Sequence, residues 1–76
     1  MDNIIDLNTS VFNTLEKHPE LLDILIDLGF TPLKNPVMRN TVTKATSLKQ
    51  GCKIIGIEVD QLIKNLRWNG YEVIDL

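Results

Sequence analysis

Over most of the chain the apolar positions recur with a helical period rather than a strand period. After Gly56, Val59, Leu62, Ile63 and Leu66 fall at i, i+3, i+4 and i+7 and leave Asp60, Lys64 and Arg67 on the other side. The pattern predicts a helix over about Glu58–Asn69, with Asp60 and Lys64 as a favourable i,i+4 pair. Leu48, Cys52 and Ile55 mark the inner stripe of a preceding helix, and Gly51 beside that stripe lets a neighbour come close. Pro19–Leu28 has another character. Glu20, Asp23 and Asp27 occupy one narrow arc, while Leu21, Leu22, Ile24, Leu25, Ile26 and Leu28 cover roughly 200° of the circumference. Such a helix is either central to a bundle or shared with another subunit.

Stop and start signals agree with this period. Asn8, Thr9 and Ser10 are cap candidates ahead of Val11, Phe12 and Leu15, which predicts a short helix to about Lys17. Pro19 suits the first turn of the second helix, where a missing N–H costs nothing, and Gly29 suits its end. Asn35-Pro36 opens a third helix, expected to run to about Ala45. Ser47 with Gln50 three residues on forms a capping box for the fourth, which ends at Gly56; the fifth ends at Gly70. The fold class is therefore mostly α: a compact array of four to five short helices. "NIIDL" and "YEVIDL" at the two ends are apolar and β-branched and can pair as a small two-stranded ribbon.

Seventy-six residues make one domain, 1–76, with a radius of gyration of roughly 11 Å. A chain of this size buries only about 60% of its unfolded surface, so the core is expected to be thin. Hydrophobic residues at 43% and charged residues at 24% fit a soluble globular protein. "MDNIIDLN" lacks the basic start and apolar stretch of a signal peptide, and the apolar run Leu21–Leu28 is broken by Asp23 and Asp27. A cytoplasmic protein without a membrane partner is expected.

Charge is lopsided although the net value is only −2. Residues 1–30 carry Asp2, Asp6, Glu16, Glu20, Asp23 and Asp27 against Lys17. Residues 34–53 carry Lys34, Arg39, Lys44, Lys49 and Lys53 with no acid. Two solvated faces of opposite sign account for this, and a surface for an anion or partner is the alternative. Cys52 is the one cysteine and His18 the one histidine, so no internal disulfide or cysteine cage can form within the chain. Cys52 lies in an apolar helical pattern and is expected to be buried. His18, before Pro19, is expected at a helix start rather than as a ligand or base.

With the helices placed, "KHPELLDILIDLGF", Asn35-Pro36, Thr41-Val42, Ser47-Leu48 and Gly56-Ile57 resemble, in order and spacing, a known family. This is the small helical domain of unknown function associated with hybrid-cluster proteins, related to the N-terminal domain of the di-iron proteins that repair iron–sulfur clusters. The resemblance extends from about Asp6 to Leu66. In the redox-disulfide branch of that family the turn after the second helix reads Gly-x-x-Cys-x-x-Cys-Pro. Here Pro32 and Asn35 stand at the cysteine places, so the thiol chemistry which the resemblance would imply is lost.

The same turn, "GFTPLKNP", yields the candidate binding residues Gly29, Phe30, Pro32, Lys34, Asn35, Pro36 and Arg39. A structural role suffices for most of them: Gly29 ends a helix, Pro32 stiffens the turn, and Phe30 and Leu33 tuck into the core. A binding role would use Asn35 and the amides of the next helix start facing an anion, with Lys34 and Arg39 adding charge. No cofactor, metal set, catalytic constellation or small-molecule ligand is identifiable. The expected function is a non-catalytic accessory or interaction module with a protein partner or self-association, in a redox or iron–sulfur context by resemblance. A helix-turn-helix built on Cys52, Gly56 and Leu62 is the alternative. It is disfavoured by Glu58 and Asp60 at the start of its recognition helix and by the negative net charge. Trp68 and Tyr71 are expected to cover the end of the fifth helix, and an exposed Trp68 would favour the interaction module.

Overall fold

The computed structural model describes residues 3–75. Asp2, counted above among the N-terminal acids, and Leu76, the last residue of the proposed C-terminal strand, lie outside the described residues. Strand β1 (Ile4–Asp6) leads to helices α1 (Val11–Lys17), α2 (Leu21–Leu28), α3 (Pro36–Thr41), α4 (Leu48–Ile55) and α5 (Val59–Trp68), and strand β2 (Glu72–Ile74) closes the chain. The radius of gyration is 11.1 Å, as chain length predicts. Among the described residues no helix is long and apolar enough to cross a membrane.

Helix ends are set by local chemistry. Ser10 Oγ accepts the Asn13 N–H at 3.1 Å, and Ser47 Oγ accepts the Gln50 N–H at 3.1 Å while Gln50 Oε1 accepts the Ser47 N–H at 3.2 Å. The two caps also meet. Ser10 and Ser47 form an antiparallel bridge, with the Val11 N–H donating to the Thr46 carbonyl at 2.8 Å and the Leu48 N–H to the Thr9 carbonyl at 3.2 Å. The starts of α1 and α4 thus satisfy each other's orphan amides. At the other ends, Phe30, Ile57 and Tyr71 each donate an N–H at 3.0 Å to the carbonyl five residues back: Leu25, Cys52 and Leu66. These are Schellman closures, with Gly29 and Gly70 at φ of 128° and 91°, where a side chain would be strained.

Two helices differ from expectation. α2 begins at Leu21, not Pro19, because Leu21 and Leu22 donate to the carbonyls of His18 and Pro19, a tighter i→i−3 pattern. α3 stops at Thr41, well before Ala45, and continues only as a 3₁₀ turn over Val42–Lys44. Thr41 Oγ1 donates back to the Val37 carbonyl at 2.8 Å and Thr43 Oγ1 to the Arg39 carbonyl, the bonding by which Thr competes with helix continuation.

Leu21 and Leu25 of α2, Leu48 and Cys52 of α4, and Leu62 and Leu66 of α5 are almost fully enclosed. Leu22, Ile24, Ile26 and Leu28 pack half-buried against them, so the wide apolar face of α2 marks a central helix. Cys52 is buried as expected, and burial pushes its thiol upward, away from the reactive thiolate. The chain ends do pair, and they pair in parallel: Ile4 with Glu72, Ile5 with Val73, Asp6 with Ile74. Parallel pairing needs a long crossover, and here the whole helical array supplies it. Buried Ile5 and Leu7 anchor the ribbon from inside. From outside, Asp75 accepts from Lys49 Nζ and Asn8 Nδ2, both at 2.7 Å. These bonds hold the Asp75 carboxyl below its usual range, that of Lys49 contributing most.

Candidate functional site

Most residues of the turn after α2 have a structural task. Closure at Gly29 turns Phe30 inward, where it is buried against α4. A Cβ at Gly51 would lie only 2.9 Å from the Phe30 ring, so the missing side chain of Gly51 is what seats the aromatic. Thr31–Lys34 then forms a 3₁₀ turn, with Pro32 pre-set for it and Leu33 buried. Asn35 ends that turn by donating its N–H to the Pro32 carbonyl at 3.1 Å. It starts α3 as well, because its Oδ1 accepts the Val37 N–H at 2.9 Å.

This architecture brings together only part of the predicted set. Phe30 and Pro32 line a shallow groove with Leu33, Met38, Gly51 and Ile54, almost wholly apolar in its lining. Gly29, Lys34, Asn35 and Pro36 are not in its walls. Arg39 points elsewhere: its Nε donates to the Leu33 carbonyl at 2.9 Å, and it lines a separate depression beside Glu16, Phe12 and Leu22. At Asn35, the side-chain oxygen is already engaged by the Val37 helix-start amide. Met38 and Ile54 were missed by the sequence reading. Their signal was an apolar residue left off the inner stripe, as Ile54 is beside Leu48, Cys52 and Ile55. Ile54 is 72% exposed and Val37, next to Met38, is 69% exposed.

The basic segment is also partly engaged. Lys49 pairs with Asp75 at 2.7 Å, and Lys44 Nζ lies 5.0 Å from the Phe12 ring centroid. Lys34 and Lys53 are exposed and form no ion pair among the described residues. Glu58 and Asp60 are exposed at the start of α5, where a recognition helix would meet phosphates. Trp68 is 90% exposed and does not cover the end of α5.

A second cluster was not legible beforehand. His18 caps the end of α1 rather than starting α2, and its buried ring stands edge-on to Tyr71 at 5.4 Å. His18 Nδ1 is 3.3 Å from Glu20 Oε2, which also accepts the Tyr71 hydroxyl, while His18 Nε2 is buried without a partner among the described residues. The Tyr71 bond is the main reason the Glu20 carboxyl is held below its usual range. Burial first, then the Glu20 bond and charge, push the Tyr71 phenol from 10.0 to about 12. A phenol raised on folding stabilises the fold fully below its unfolded value and loses that contribution as pH climbs to the folded one. Tyr71 is the single tyrosine, so an absorbance titration is expected to show one tyrosinate midpoint near 12, moving back toward 10.0 in Glu20→Gln. Helical circular dichroism followed in parallel separates titration from unfolding. A native midpoint at 10.0 would show that the contact is not maintained.

The fold and groove define a class: a small helical array closed by a parallel ribbon of its own ends, with an apolar groove beside the turn after its second helix. The chain belongs to the family described as a domain of unknown function (DUF1858), which matches residues 5–63 and so contains the whole groove. It is similar to a solved structure, the conserved domain protein from Streptococcus pneumoniae TIGR4. The two are 55% identical, the match covers 100% of this chain and 96% of that one, and the TM-score is 0.93. No curated protein matches the chain.

Proposed function

We propose that the chain is a non-catalytic docking module for a protein partner, serving the redox or iron–sulfur setting that the family resemblance implies. The observation that carries this reading is the groove of Phe30, Pro32, Leu33 and Gly51, flanked by exposed Met38 and Ile54. Its volume is about 130 Å³, below the roughly 300–1,000 Å³ of small-molecule sites and suited to an apolar side chain or two. Exposed Trp68 adds a second anchor of the type enriched at interfaces. A docking role also fits a chain whose one thiol is buried and whose turn carries Pro32 and Asn35 in place of cysteines.

The test is affinity capture from extract with the wild-type chain, Ile54→Lys and Trp68→Ala, followed by mass spectrometry. Both side chains are exposed, so both variants are expected to melt like the wild type. A protein captured by wild type and Trp68→Ala but lost with Ile54→Lys supports docking in the groove. Capture unaffected by Ile54→Lys sinks it.

A further inference from the structure

We infer that the depression lined by α1, α2 and α3 is a weak binding site for a free apolar α-amino acid, separate from the groove and independent of the docking reading. Its apolar lining comes from Phe12 and Leu15 of α1 and Leu22 of α2, all half-buried. Opposite charges stand in the same lining, Glu16 on α1 and Arg39 on α3. They form no ion pair with each other. Neither the Glu16 carboxylate nor the terminal nitrogens of Arg39 have a partner among the described residues. The bond from Arg39 Nε to the Leu33 carbonyl, at 2.9 Å, ties the guanidinium to its own side of the depression. It leaves Nη1 and Nη2 as a fork of the shape that holds a carboxylate.

These features select one chemistry when taken together. A carboxylate alone would pair with Arg39 and face Glu16 unpaired. An amine alone would do the reverse, and an uncharged apolar molecule would leave both groups to water. An apolar α-amino acid carries both charges on the carbon that bears its side chain. Its carboxylate meets Arg39, its ammonium meets Glu16, and its side chain covers Phe12, Leu15 and Leu22. Lys44 Nζ, 5.0 Å from the Phe12 ring centroid, adds to the attraction for the carboxylate. The volume, about 190 Å³, is below the roughly 300–1,000 Å³ of drug-sized sites and suits a molecule of amino-acid size. Glu16 is exposed and Arg39 half-buried, so both pairs keep contact with water and binding is weak.

The experiment is an amide chemical-shift titration of the full chain with leucine and four relatives that each lack one feature. In 4-methylpentanoate the ammonium is missing, in 3-methylbutylamine the carboxylate, and in glycine the side chain; N-acetyl-leucine has an uncharged amide, like the end of a peptide. Expected are saturating shifts at Phe12, Leu15, Arg39 and Asn40 with leucine, with a Kd on the order of 1 mM, and binding about tenfold weaker for each relative. Glu16→Gln, at an exposed position, is expected to melt like the wild type and to erase the preference for leucine over 4-methylpentanoate. Equal binding of leucine and 4-methylpentanoate by the wild type would overturn the inference. N-acetyl-leucine binding as well as leucine would make the site one for a chain terminus and overturn it too. So would saturating shifts confined to Met38, Gly51 and Ile54, which would place leucine in the groove, or no saturating shift at all.

Discussion

Phe30→Ala is expected to destabilise the fold by about 3–5 kcal/mol, the largest effect of any single truncation at the turn. The ring is 4% exposed and closes the space between the turn and α4. Truncation removes its apolar burial and leaves a cavity which Gly51, lacking a side chain, cannot fill. At roughly 0.05–0.15 kcal/mol per residue, a chain this short has about 4–11 kcal/mol in all, so this one change takes a large share. Urea denaturation followed by circular dichroism is the measurement; Trp68 is too exposed to report well on unfolding. A loss below about 1 kcal/mol would mean that the ring is not packed as described.

Gly51→Val is expected to cost about 3 kcal/mol or slightly more, by overpacking rather than by a void. Valine places Cβ 2.9 Å from the Phe30 ring and then adds two methyl groups. In an exposed helix position, replacing glycine would normally help, since glycine is a poor helix former. Here the sign reverses, because the space belongs to Phe30. The pair supplies its own control. In Phe30→Ala/Gly51→Val the valine enters the vacated space, so the double variant should lose about 0.5–3 kcal/mol less than the sum of the singles. Strict additivity would show that the two residues are not in contact.

What the sequence disclosed follows from how local each signal is. Ser10, Ser47 with Gln50, and the glycines after α2, α4 and α5 act within one helical turn, so the helix ends could be placed from the residues alone. Gly51 was legible as a close approach, and Cys52 as core, from the stripe they share. Where two distant segments decide, the sequence was silent. Nothing in "NIIDL" or "YEVIDL" gives strand direction, and nothing near Ser10 says that it meets Ser47. The shortened α3 depends on threonine hydroxyls choosing carbonyls in their own helix over water. At the candidate site, Arg39 is four residues from Asn35 and its backbone N–H donates to the Asn35 carbonyl, but its side chain bonds back to Leu33. Ile54, far from the turn in sequence, joins it because Gly51 lets α4 close on Phe30. The family resemblance extends to a domain of unknown function, and its link to hybrid-cluster proteins belongs to the proposal.

The direction of the terminal ribbon also decides how the molecule bears a mechanical load. β1 is pulled from its start and β2 from its end when the chain is stretched between its termini. In a parallel pair those forces run along the strands in opposite senses, so the ladder from Ile4–Glu72 to Asp6–Ile74 is sheared, with its rungs strained together. An antiparallel pair of chain ends would instead be peeled one rung at a time. The ribbon therefore acts as a clasp: tension on the flanking chain reaches it before it reaches the helices, and the core stays shielded until the clasp gives way.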